Sequence, residues 1–75
     1  MSDFDKYREL MPIEKIIEWL SDMECKDGAM FEIEYYTRNG VQHIVNIRDM
    51  TEDRIGFINF LTQHEIAVKR IERIC

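Results

Sequence analysis

The chain has 75 residues, 45% of them hydrophobic and 11% aromatic, which is enough for one small core and too little for two. Ten basic against fifteen acidic residues give a net charge of −5, which argues against direct affinity for nucleic acid or an anionic membrane, since both need a basic surface. The imbalance is local: Met1 to Glu34 carries ten acids and four bases, a charge of −6, whereas Tyr35 to Cys75 carries five acids and six bases, a charge of +1. An acidic half of this kind is drawn toward a basic partner surface.

The start "MSDFDKYREL" has neither the basic n-region nor the apolar core of a signal peptide, and no apolar run approaches the length of a membrane span. The expected location is the cytoplasm, where Cys25 and Cys75 would be free thiols. A Cys25–Cys75 bridge is the alternative.

In chain order, Ser2 or Asp3 caps a short helix with Phe4, Tyr7 and Leu10 at three-residue spacing, expected to be weak and frayed. Pro12 suits the first position of a second helix, because its missing N–H costs nothing there. Within it Ile13, Ile16, Ile17, Leu20 and Met23 form one stripe and Glu14, Glu18 and Asp22 the opposite side, an amphipathic pattern. Trp19 lies between the two stripes. "CKDG" ends the helix, with Gly28 allowing the chain reversal.

"YYTRNGVQHI" holds a hairpin. A two-residue Asn39-Gly40 turn would mix core and solvent residues on each face, whereas a three-residue loop, Arg38-Asn39-Gly40, sets Thr37 opposite Val41 with Gly40 left-handed. One face then reads Phe31, Ile33, Tyr35, Thr37 with Val41, His43, Val45, Ile47; the other reads Glu32, Glu34, Tyr36 with Gln42, Ile44, Asn46, Arg48. A one-residue slip would invert that segregation, so burial selects the longer loop.

Thr51 is the expected N-cap of a third helix, with Glu52 and Asp53 in its first turn. Its buried residues come from Ile55, Phe57, Ile58, Phe60 and Leu61, and Gly56 in its interior suggests close packing on a neighbour. The tail "EIAVKRIERIC" keeps a helical spacing that would let this helix run to the C-terminus. The β-branched Ile66, Val68, Ile71 and Ile74 favour a strand instead, which also supplies the third strand a lone hairpin needs. The expected fold is a small two-layer α+β domain, ααββαβ, with a three-stranded antiparallel sheet and helices on one face; αββα is the alternative. On that strand regular alternation puts Arg70 on one face and Lys69 and Arg73 on the other, as edge protection or as partners of the acidic helix.

Chemistry-bearing motifs are sparse. Two Cys and two His make a zinc ligand count, but positions 25, 43, 64 and 75 lack the close pairs structural zinc sites use. His43 reads as a partly buried, hydrogen-bonded core residue and His64 as a helix end. The acidic neighbours Glu24 and Asp27 disfavour a reactive Cys25, with Lys26 opposing them, Ser2 and Ser21 lie in no strained turn, and no phosphate-binding glycine loop is present.

No cofactor or metal is therefore expected, and no enzyme. The expected function is protein binding: Glu14, Glu18, Asp22 and Trp19 on one helix, and Glu32, Glu34, Tyr36 and Ile44 on an open sheet face, offered to a basic surface of a larger protein. A small acidic inhibitor of a host nuclease, carried by a bacteriophage or mobile element in the manner of an anti-CRISPR, fits that size and charge. A homodimeric adaptor is the second reading, and a metal-binding or catalytic protein using His43, His64 and Cys25 the third.

Overall fold

The computed structural model describes residues 2–26 and 28–74. The elements follow in the order α1 (Asp3–Leu10), α2 (Ile13–Asp22), β1 (Met30–Thr37), β2 (Gln42–Arg48), α3 (Thr51–Gln63) and β3 (Ile66–Arg73), the α+β layout read from the sequence. The sheet is antiparallel in the order β2-β1-β3. Parallel β2 and β3 therefore flank β1, and a crossover must carry the chain back along the sheet. α3, thirteen residues and about 20 Å long, is that crossover.

The hairpin takes the three-residue loop. Phe31 faces Ile47, Ile33 faces Val45 and Tyr35 faces His43; Thr37 N donates to Val41 O at 3.0 Å and Gly40 has φ +83°. The face so chosen carries the core, in which Phe31, Ile33 and Tyr35 pack with Ile16, Leu20, Phe57, Leu61, Ile66 and Val68. One expectation fails at its rim: His43 is exposed, its ring stacked on Tyr35 at 5.1 Å; of the α3 candidates, Phe57 and Leu61 are buried and Ile55 stays outside.

β3 carries the one irregularity in the sheet. Tyr35 pairs with Val68 and Glu34 with Arg70, so Lys69 is an extra residue, a β-bulge. Without it Val68 and Ile71 would point to opposite faces; with it both meet the core. The bulge also corrects the expected placement of the tail's charges. Lys69 and Arg70 share the outer face, and Arg73 turns inward over the Phe31 ring at 5.4 Å. Their acids lie on the strands and at Asp49, not on the acidic helix.

α1 is firmer than its sequence suggests. Ser2 caps it, accepting from Asp5 N at 3.3 Å, and Phe4 is buried beneath the Arg8 and Arg38 guanidinium groups. α2 and α3 cover the core face, but α1 wraps the outer edge of β3 onto the reverse face. There Tyr7 stacks on Tyr36 at 5.6 Å, while Arg8 donates to the edge carbonyl of Ile66 at 3.3 Å.

Helix boundaries shift by a residue. Pro12 and Met50 occupy the cap positions of α2 and α3, so Thr51 is the first helical residue rather than the N-cap. α2 ends at Asp22, before "CKDG", and Gly28 follows with φ +82°. Its last carbonyls are closed by a buried side chain: Arg54 donates to the oxygens of Leu20, Met23 and Glu24. Gly56 is not a packing glycine, because a Cβ there would meet no atom within 4 Å. Cys75, and with it the alternative Cys25–Cys75 bridge, lies outside the described residues. Among those residues no helix is long and apolar enough to cross a membrane.

Candidate functional site

The apolar stripe of α2 fixes which of its residues remain outside. Ile16 and Leu20 enter the core, so the positions roughly 100° or more round the helix, Glu14, Glu18 and Asp22, must face solvent, and all three are exposed. Trp19, beside the stripe, meets the Phe31 ring at a tilt of 60° with centroids 5.9 Å apart and leaves 42% of its surface outside. Together with Leu10, Met11, Lys15, Ile16 and Ile71 it lines an open groove of about 430 Å³ where α1, α2 and β3 meet. Apolar groove and acidic strip thus share one helix, with Lys15 between them.

Among the described residues every ion pair draws its acid from Glu32, Glu34, Asp49, Asp53, Glu65 or Glu72. The exposed acids of α1 and α2, Asp3, Glu9, Glu14, Glu18 and Asp22 among them, have no such partner. α2 carries Glu14, Glu18 and Asp22 against a single base, Lys15, so its outer face is net negative.

The sheet residues singled out from sequence behave differently. Glu34 is only 8% exposed, its Oε1 accepting from Arg70 at 3.3 Å and its Oε2 held by Lys69 at 3.4 Å and by the Gln42 amide, which donates to it. Burial pushes its carboxyl pKa up, but the two cations outweigh that and hold it below the ordinary range; they are raised in turn by Glu34 and, for Arg70, chiefly by Glu32. Glu32 bonds Arg70 at 2.5 Å. Tyr36, expected in the open, is half-buried under Tyr7. Of this group Ile44 alone stands well clear, 58% exposed. It lies on the reverse face from α2, so the two sets of candidate residues do not form one surface.

His43, His64 and Cys25 do not converge. The histidines flank an aromatic pair at the loop end of the hairpin: His43 on Tyr35, His64 on Phe60 at 4.8 Å, and Tyr35 edge-on to Phe60. Cys25 is at the other end, its sulfur 3.6 Å from the Thr51 hydroxyl. Among the described residues no three His, Cys, Asp or Glu side chains are grouped as metal ligands would be.

Sequence reasoning missed the polar knot under α2. Asp49 is fully buried and accepts from Arg54 Nε at 2.8 Å, Arg73 Nη2 at 2.6 Å and the Lys26 N–H at 2.9 Å. Burial raises its pKa, but the backbone donor and the two guanidinium groups prevail, leaving it lowered. A signal was present: Arg54 shares a stripe with Phe57 and Leu61 at spacings of three and seven, and a cation on an apolar stripe requires a buried acid.

Comparisons with protein-family models, with curated proteins and with solved structures gave no match.

Proposed function

We propose that this protein works by binding in the cytoplasm, without chemistry of its own: the acidic face of α2 docks on a basic surface of a larger protein and occludes it. The observation that carries this is the division of charge. Six acids from Glu32 onward are neutralised within the chain, while Glu14, Glu18 and Asp22 stand unneutralised beside a half-exposed tryptophan and an open groove. Repeating acids every four residues weakens a helix slightly, a cost that a binding role offsets. Trp19 supplies the apolar anchor that a charged rim lacks, and the strip supplies steering and orientation.

Basic surfaces of the required kind occur where an enzyme holds nucleic acid. The concrete form of the proposal is therefore a stoichiometric inhibitor of a nuclease, of the anti-defence type that bacteriophages and mobile elements carry. The test compares immobilised wild type with the triple variant Glu14→Lys, Glu18→Lys, Asp22→Lys. A partner retained by wild type, released as salt rises, and at least tenfold weaker toward the triple variant after reconstitution from purified components supports the reading. Retention of the same partner by both proteins within twofold overturns its electrostatic basis.

A further inference from the structure

We infer that the outer edge of β2 is a self-pairing surface, on which a second copy of this chain continues the sheet through an antiparallel β2–β2 contact centred on Ile44. The two edges of the sheet are treated differently. β3 is guarded: α1 lies along it, Arg8 takes the Ile66 carbonyl, and the bulge at Lys69 breaks its regularity, all recognised means of blocking further pairing. β2 has no bulge and no proline, and residues 41–47 carry no charge.

The hydrogen-bond phase fixes which groups are free. Thr37 bonds Val41, and Asp49 N donates to Ala29 O at 2.9 Å, so the odd-numbered residues of β2 point their backbone groups at β1. Those of Gln42, Ile44 and Asn46 point outward. With Ile44 opposite itself, the other pairs are forced: Gln42 faces Asn46 of the second copy, His43 faces Val45, and Val41 faces Ile47. Amide meets amide, and each exposed aliphatic meets an apolar or aromatic neighbour. Moving the dyad to Val45 would set Ile44 against Asn46 and Gln42 against Arg48, losing that match.

The core is also thinnest at this edge. Val41 and His43 are exposed and Val45 and Ile47 only half-buried, and a groove of about 380 Å³ opens between α3 and β2, lined by Val45, Ile47, Gly56 and Phe60 among others. A second copy would cover the strand residues along it. Since each protomer has a charge of −5, the neutral strand is the part of the surface where two copies can approach, and added salt strengthens the contact by screening the rest. A seven-residue strand pair falls short of the roughly 1,200 Å² of a standard interface, so the contact is a weak one.

Light scattering on the full chain from 10 μM to about 1 mM tests this. The expected result is a concentration-dependent rise from 9.1 kDa toward twice that mass, steeper in high salt. It should be lost in Ile44→Lys, an exposed position, and in Asn46→Pro, which removes an outward N–H and no bond to β1; circular dichroism confirms that each variant is folded. A wild type that stays monomeric to the top concentration, a dimer that salt dissolves, or one that survives both substitutions overturns the inference. Salt acts here in the opposite direction from its effect on the proposed basic partner, so failure of one leaves the other standing.

Discussion

Replacing Asp49 by alanine would leave the Arg54 guanidinium buried without its carboxylate, and the cost of such an uncompensated charge is about 3–5 kcal/mol. A domain of this length has a total stability of about 4–11 kcal/mol, so Asp49→Ala should be largely unfolded or shifted to a much lower urea midpoint, an outcome equilibrium denaturation reads directly. Arg54→Met should not be rescued by pairing it with Asp49→Leu, because Arg54 also closes the Leu20, Met23 and Glu24 carbonyls at the end of α2. Gly56 presents the reverse case. Its helix position penalises glycine by about 1 kcal/mol against alanine, and no atom lies within 4 Å of the added methyl. Gly56→Ala should therefore raise the melting temperature by roughly 4 °C or more, measurable by thermal denaturation; a fall would mean that α3 tightens onto β2 in solution.

At the scale of elements, what was legible followed from period and turn chemistry. The hairpin register could be read because only one phase gathers Phe31, Ile33 and Tyr35 on a single face, and a glycine at the left-handed position agreed with it. β3 could be read from its β-branched residues, and the spacing Ile66, Val68, Ile71, which mixes steps of two and three, was the mark of its bulge; regular alternation instead grouped Lys69 with Arg73 and apart from Arg70. Strand order was also hidden, since it depends on α3 returning the chain past β1. The acidic strip of α2 was legible because solvent exposure follows from helix phase, whereas the fate of Glu32 and Glu34 depended on long-range partners, Lys69 and Arg70, placed by that same bulge. α2 carries a prediction of its own. Glu18 lies one turn from both Glu14 and Asp22 and three residues from Lys15, so Glu18→Lys exchanges two repulsions for two attractions at i±4 against one attraction lost to a repulsion at i−3, and should on balance stabilise the fold by about 0.4–1 kcal/mol. A urea titration measures this, and a gain in stability alongside weaker partner binding would separate the folding role of the strip from its binding role.

For the molecule as a whole, pH joins these networks in one measurement. Against the opposing effect of burial, Asp49 and Glu34 both have folded-state pKa values held below the ordinary carboxylate range, Asp49 by the Lys26 backbone N–H and then Arg54 and Arg73, Glu34 by Lys69 and Arg70. A lowered folded-state pKa means that the unfolded chain takes up the proton first, so each contributes stability that is complete above the unfolded value and disappears as pH falls through the folded one. From these two groups the stability curve should be flat from about pH 7 down to about pH 5 and should decline from about pH 4, near the ordinary carboxylate values. Glu34→Gln removes one of these two groups while the Asp49 network remains, so it should make the acid limb shallower. Urea midpoints collected between pH 2.5 and 7 for the wild type and this variant test the difference. An acid limb unchanged by this substitution would mean that Lys69 and Arg70 do not hold the Glu34 carboxylate in the folded chain.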